Sequence, residues 1–325
     1  PGPAVLAARD LRVTFPVDGG RRRLQAVAGV GFELGRGEIL GVVGESGCGK
    51  STLGRAVLQL VRTSGEVTFL GRALGGLRRT DMEPLRRDLQ VVFQDPLASL
   101  DPRMTIRDIV AEPLETFEPQ LAADVRTNHV AEMLSRVGLD PSHMNRYPHQ
   151  FSGGQCQRVA IARALITRPK VVVCDEAVSA LDVSVRAQIL RLLLELRRLL
   201  DLSLVFIGHD LAVIRQVSQR VMVMYLGRVM ELAPAEELFS QPRHPYTRAL
   251  LAAAPVPDPR IERAAHRTGL VGEVPSPLAP PSGCVFRTRC AHAIARCATV
   301  EPPLLRRGGA DVACVRVDEL DFQKE

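Results

Sequence analysis

The sequence predicts an α/β fold: a parallel sheet interrupted by a helical subdomain and followed by a small Cys-rich C-terminal unit. Three observations predict it. Short apolar, mostly β-branched runs recur at Ile39 to Val43, Leu89 to Phe93, Val171 to Cys174 and Leu204 to Ile207, the pattern of strands buried on both faces of a parallel sheet. Between the last two, Val185, Ile189, Leu192, Leu193, Leu196, Leu199 and Leu200 recur at helical spacing. This predicts a helix at about Val183 to Leu200 and a strand, helix, strand crossover. After Met230 the composition changes, with seven Pro between Pro255 and Pro281 and four Cys in the last 42 residues.

The 325 residues leave room for about two domains at roughly 150 residues each. From about Pro96 to Tyr147 no strand-like run occurs, which predicts an inserted helical subdomain. The expected organisation is a nucleotide-binding domain over residues 1–254 with the helical subdomain inserted at about 96–168, a Pro-rich linker over 255–283 and the Cys-rich unit over 284–325. Hydrophobic residues make up 46% and charged residues 24%, ordinary globular composition. No run approaches the roughly 18 to 20 apolar residues of a membrane helix, and the start lacks a basic segment followed by an apolar run, so a cytoplasmic location is expected. The net charge of +6 comes from 42 basic against 36 acidic residues. The Arg residues are scattered, with three Tyr and no Trp to stack on bases, so no nucleic acid is expected; attraction to an anionic membrane face is the sharper alternative.

Gly44-Glu45-Ser46-Gly47-Cys48-Gly49-Lys50-Ser51-Thr52 follows the first apolar strand and opens a helix at about Lys50. Strand, glycine-rich loop and helix in that order are the context of a nucleoside-phosphate loop. Its glycines let successive N–H groups point at phosphate oxygens, the helix N-terminus adds positive potential, Lys50 reaches the β- and γ-phosphates, and the Ser51 hydroxyl ligates Mg2+. ATP and Mg2+ are the implied ligands. A second source of carboxylate lies at the end of Val171-Val172-Val173-Cys174-Asp175-Glu176, with Asp175 placed for magnesium and Glu176 to polarise the attacking water. His209 follows the Leu204 to Ile207 strand at its carboxyl end, where sites gather in open α/β sheets.

Phe151-Ser152-Gly153-Gly154-Gln155, lying between the phosphate loop and the two acids, closely resembles the signature of ABC-type ATPases. Gln94 resembles that family's glutamine loop, which contacts ATP and magnesium. Ser179-Ala180-Leu181-Asp182 resembles its D-loop and His209 its switch histidine, while Phe15 stands where an aromatic stacks on adenine. The resemblance covers roughly Val5 to Leu250. It implies an ABC-type P-loop ATPase core and a second nucleotide-binding domain packed head to tail. Ser152, Gly153, Gly154, Gln155 and Asp182 would then contact ATP held by the partner domain.

Gln94-Asp95-Pro96-Leu97-Ala98-Ser99-Leu100-Asp101-Pro102 and His244-Pro245-Tyr246-Thr247-Arg248-Ala249-Leu250-Leu251 look like the ATP-binding subunits of dipeptide and oligopeptide importers, whose relatives also serve nickel uptake. That resemblance implies two membrane permeases, an extracytoplasmic solute-binding protein and a place on the cytoplasmic face of the membrane. A soluble ABC protein acting on ribosomes or DNA is the rival. Such proteins usually carry a second cassette or a long coiled-coil insertion, and neither is visible. Cys284, Cys290, Cys297 and Cys314 are expected to hold a [4Fe–4S] cluster, because their intervals are wider than those of common zinc pairs; Zn2+ is the alternative. No motif couples this segment to the phosphate loop, so its expected role is structural.

Overall fold

The computed structural model describes residues 4–179, 181–253 and 272–320. The strands are β1 (Leu6–Val17), β2 (Arg22–Leu34), β3 (Ile39–Val43), β4 (Ser64–Phe69), β5 (Arg72–Ala73), β6 (Leu89–Val92), β7 (Val171–Asp175), β8 (Ser203–Ile207), β9 (Arg220–Tyr225), β10 (Arg228–Pro234), β11 (Leu305–Arg307) and β12 (Ala310–Val312). The helices are α1 (Lys50–Val57), α2 (Arg79–Arg86), α3 (Pro96–Ser99), α4 (Ile106–Phe117), α5 (Ala123–Arg136), α6 (Gly153–Leu165), α7 (Val183–Leu200), α8 (Leu211–Val217), α9 (Ala235–Ser240), α10 (Pro245–Ala252) and α11 (Arg296–Thr299). The described residues divide into two compact units, the first made of 4–7, 33–39 and 67–208, the second of 8–32, 40–66 and 209 onward.

In the first unit β6, β7 and β8 run parallel, with Leu89 opposite Val171 and Val171 opposite Ser203. Strand β7 has a neighbour on each side and every one of its residues is buried, which is why it reads in sequence as an unbroken apolar run. It is one residue longer than its apolar run, because Asp175 stays in the ladder opposite Ile207. The stretch predicted as helical contains α3, α4 and α5 and no strand among the described residues. Helix α6 packs against α3, α4 and β6. Helix α7 occupies the predicted span, begins on the Asp182 side chain, which accepts the Val185 N–H, and ends where Asp201 turns left-handed at φ 54°.

In the second unit β3 runs parallel to β9. Strands β9 and β10 form an antiparallel hairpin in which Tyr225 faces Arg228 across the two-residue turn Leu226-Gly227. Both turn residues have positive φ, the backbone that matches the twist of adjoining strands. Most of β1 and β2 also lies here, hydrogen-bonded to each other. The cysteine-bearing segment does not stand apart as the composition suggests. Strand β12 pairs with β10, placing Val312 opposite Glu231, and β11 pairs with β12. The backbone groups left open on the β10 edge are what draw this segment into the sheet. Most of the expected Pro-rich linker, residues 255–271, lies outside the described residues.

Glu231 on β10 is fully buried, and its carboxylate accepts the backbone N–H groups of Arg243 at 2.9 Å and His244 at 3.0 Å. Burial raises its pKa against the lowering effect of these donors. It anchors the entry to α10. Replacing Glu231 with Ala leaves two N–H groups without that acceptor, at a cost of about 2–4 kcal/mol. Thermal unfolding of Glu231→Ala is expected several degrees below wild type, and an unchanged melting temperature would refute the anchoring role.

Candidate nucleotide site

The phosphate loop belongs to the second unit. Gly44 and Gly49 have φ of 153° and 102°, and a Cβ on either would stand 2.2 Å from the Met224 carbonyl or 2.1 Å from the Ala26 carbonyl. The backbone of β9 and β2 therefore permits glycine alone at these positions. The Gly227 N–H donates to the Cys48 carbonyl and the Ala28 N–H to the Gly227 carbonyl, both at 2.8 Å, so the β9–β10 turn braces the loop. Lys50, buried at 5% exposure, donates from Nζ to the carbonyls of Gly44 at 2.8 Å and Glu45 at 3.0 Å. Ser46 and Gly47 are exposed, Ser51 and Thr52 half-buried. Helix α1 starts at Lys50 with no side-chain hydrogen bond from its N-cap Gly49; a helix N-terminus of that kind presents donors to an anion. Cys48 is buried with its thiol pushed up by desolvation, a packing residue. Phe15 lies on β1 at 36% exposure, and His209 is exposed just ahead of Asp210, whose carboxylate caps α8.

The acids belong to the first unit. Asp175 is buried at the end of β7. Glu176 follows with φ 48°, a left-handed backbone that is costly for a non-glycine residue and is tolerated where surroundings impose it. Those surroundings are visible. The Glu176 N–H donates to the Ile207 carbonyl at 3.0 Å, and its carbonyl accepts both the N–H and the hydroxyl of Ser179. Its carboxylate accepts a 2.9 Å hydrogen bond from Gln94 Nε2, joining two residues far apart in the sequence.

Ser152 caps α6 in a reciprocal box: its hydroxyl accepts the Gln155 N–H at 3.3 Å while Gln155 Oε1 accepts the Ser152 N–H at 2.9 Å. Ser152, Gly153 and Gln155 are exposed. At Gly154 a Cβ would come within 2.6 Å of Val185 Cγ1, so α6 and α7 approach through that glycine. Asp182 accepts the Val185 N–H at 2.9 Å and the Ser184 hydroxyl at 2.8 Å, and these bonds lower its pKa. Ala180 of the D-loop lies outside the described residues.

Sequence reasoning missed a set of groups around Glu45. Arg289 pairs with its carboxylate, and the Tyr246 hydroxyl accepts its backbone N–H at 3.0 Å. Tyr246 stands in the His244-Pro245-Tyr246-Thr247 run, where the His244 imidazole accepts the Tyr246 N–H at 3.0 Å and burial drives the His244 pKa down to about 4. No sequence motif couples the cysteine segment to the phosphate loop, but the fold does: Arg289 makes the link.

All seven cysteines are free thiols. Cys284, Cys290, Cys297 and Cys314 line one cavity with His244 and Phe286. Among the described residues no group of three or more His, Cys, Asp or Glu is arranged to hold a metal ion. The expected [4Fe–4S] cluster or Zn2+ thus finds no ready-made ion site. The cavity that these thiols line together with other side chains holds about 10 Å3, room for about one water molecule.

The glycine loop, the acids ending β7 and the capped start of α6 are the places where the sequence resembles ABC-type ATPases. The ABC transporter family profile matches residues 27–179, and that of the oligopeptide/dipeptide transporter C-terminal region matches 230–297. The chain belongs to the ABC transporter family, among its oligopeptide transport ATP-binding proteins. It is 52% identical to the oligopeptide transport ATP-binding protein OppF of Salmonella typhimurium over 97% of each chain. It is 51% identical to OppF of Escherichia coli, again over 97% of each. Among solved structures it is similar to CbiO1 from Clostridium perfringens, part of an ABC transporter complex, with TM-score 0.65 and 28% identity over 73% of this chain and 91% of that one. It also matches a dimeric ATP-binding cassette in a post-hydrolysis state bound to ADP and Pi, with TM-score 0.65 and 29% identity over 71% and 98%. Membership of this family makes the chain an ATPase. Among the described residues no helix is long and apolar enough to cross a membrane.

Gly49→Ala is expected to weaken MgATP binding by at least about tenfold, since left-handed strain alone costs about 1–3 kcal/mol before the contact with Ala26 is counted. Titration of the folded variant with a fluorescent ATP analogue checks this, and wild-type affinity would show that the loop does not require glycine there.

Proposed function

We propose that the chain is the ATP-hydrolysing subunit of an importer for dipeptides or oligopeptides, seated on the cytoplasmic face of the membrane. Its partners are two membrane permeases, a second nucleotide-binding domain and an extracytoplasmic solute-binding protein. The observation that carries this reading is similarity at about half identity along 97% of the chain to oligopeptide transport ATP-binding proteins, including the separate match over 230–297. Neither a ribosome- or DNA-directed ATPase nor a nickel importer is favoured by any of these matches.

The residues assign the chemistry. The N–H groups of the phosphate loop and Lys50 bind the phosphates, and Phe15 stacks on adenine. Ser51, Asp175 and Gln94 offer the oxygen ligands that Mg2+ takes, and that ion neutralises phosphate charge when bound. Glu176 accepts the proton of the attacking water, with Gln94 orienting its carboxylate, and His209 senses the γ-phosphate. Ser152, Gly153, Gly154, Gln155 and Asp182 complete the partner's site. Nucleotide binding closes the two domains and hydrolysis reopens them, so the chemistry drives a conformational cycle in the permeases.

In the reconstituted complex Glu176→Gln is expected to keep MgATP binding and lower turnover by at least about a hundredfold, because an amide cannot accept the proton. Turnover near wild type would remove Glu176 as the base. Peptides presented by the binding protein should stimulate wild-type ATPase activity in proteoliposomes. Stimulation by nickel and not by peptide would overturn the importer reading.

Cys284, Cys290, Cys297 and Cys314 are proposed to hold a [4Fe–4S] cluster after the thiols move apart. Four free thiols on one cavity support it, since thiolate ligation to a cluster can supply folding energy. Anaerobically purified full chain is expected to be brown, with about four irons and matching acid-labile sulfide. Stoichiometric zinc without sulfide would exclude the cluster.

A further inference from the structure

Glu45, the second residue of the phosphate loop, is gripped by side chains from distant parts of the second unit. The Arg289 guanidinium donates from Nη1 to Glu45 Oε2 at 2.6 Å and from Nη2 to Oε1 at 3.1 Å. The Arg289 side chain is 4% exposed and that of Glu45 22%, so the pair is largely shielded from water. Nη1 also donates to the Tyr225 hydroxyl at 3.3 Å, and the guanidinium stands 5.8 Å from the centre of the Tyr225 ring. Tyr225, Tyr246 and Phe286 pack against one another with ring centres 4.8 to 5.4 Å apart. Tyr246 holds the Glu45 N–H, while Phe286 and Arg289 both lie between Cys284 and Cys290. A two-pronged pair of this kind fixes direction as well as charge.

We propose that Arg289 is a positioning residue of the phosphate loop, through which the cysteine-bearing segment sets the affinity of this chain for MgATP. The proposal rests on the nucleotide reading of that loop. Arg289 neutralises and orients a carboxylate in a loop whose ligand is a polyanion. Without it the Glu45 charge stands unbalanced beside the phosphates and repels them. Anything that reorganises Cys284 or Cys290 moves the backbone carrying Arg289, so the state of the thiols is felt at the loop. A purely structural Arg289 would lower stability without regard to the charge on Glu45, and that difference is measurable.

The experiment is MgATP titration of the full chain as wild type, Arg289→Ala, Arg289→Lys, Glu45→Gln and the double variant Glu45→Gln/Arg289→Ala, with circular dichroism to establish folding. Arg289→Ala is expected to bind about five- to tenfold more weakly, the size of a charge interaction across several ångströms in a partly shielded site. Arg289→Lys, which keeps the charge and loses the fork, should fall between. The double variant should return to within about threefold of wild type, because removing the carboxylate removes the repulsion. Wild-type affinity in Arg289→Ala, or a double variant as weak as Arg289→Ala, would overturn the proposal. Should Arg289→Ala not fold, Glu45→Gln alone reads the same coupling: it frees a cation beside the loop and should tighten MgATP binding, and equal or weaker binding overturns the idea. Lys50→Ala, titrated in parallel, separates the two levels. Binding that survives Lys50→Ala refutes the nucleotide reading, whereas binding lost there but unchanged in Arg289→Ala refutes the proposal alone.

Discussion

The phosphate loop is pressed against the backbones of β2 and β9 so closely that Gly44 and Gly49 have no room for a Cβ. Much else in the second unit follows from that contact. The Leu226-Gly227 turn must present a carbonyl and an N–H to Ala28 and Cys48, which fixes where the β9–β10 hairpin reverses and hence the register of β10. Strand β10 in turn receives β12 and carries Glu231, whose carboxylate fixes the start of the Arg243 to Tyr246 segment. Tyr246 returns to the loop through the Glu45 N–H. The loop is held in a closed circuit of backbone contacts and buried side chains. A loop fixed in this way presents donors to an anion with little reorganisation, the condition under which such donors contribute most.

The first unit solves a different problem, that of projecting a carboxylate from the end of a strand that is wholly buried. Strand β7 ends in Asp175 inside the ladder and then breaks abruptly at Glu176 into a left-handed backbone. Ser179 and Ile207 hold that break through three hydrogen bonds, and Gln94 reaches the carboxylate from the end of the neighbouring strand β6. The strain at Glu176 is local and well supported, as expected where a side chain must project from the end of a sheet. Ser152, Gly153 and Gln155 at the start of α6 are exposed, and the helix is capped by its own box.

Sequence alone determined the parts that depend on local pattern. The apolar runs of β3, β7 and β8 were legible because burial on both faces demands continuous apolar residues; β6, with Gln90 and Val91 half-buried, carries a weaker form of the same pattern. Helix α7 was legible from its periodicity. The loop from Gly44 to Thr52, the acids Asp175 and Glu176 and the capped start at Ser152 were legible because each requires particular residue types at fixed spacing. What only the tertiary structure decided depends on partners remote in the chain. The cysteine segment has no strong strand pattern, and its three-residue strands form because β10 offers an open edge. Arg289 reads in sequence as one of many scattered arginines, and only folding brings it across 244 positions to Glu45. Ion pairs between distant residues leave no periodicity and no spacing, since their geometry is set by the packing of the elements that carry them. The crowding of Cys284, Cys290, Cys297 and Cys314 is visible in the sequence, but that they line one cavity together with His244 and Phe286 was settled by the fold, because His244 comes from a part of the chain remote from them.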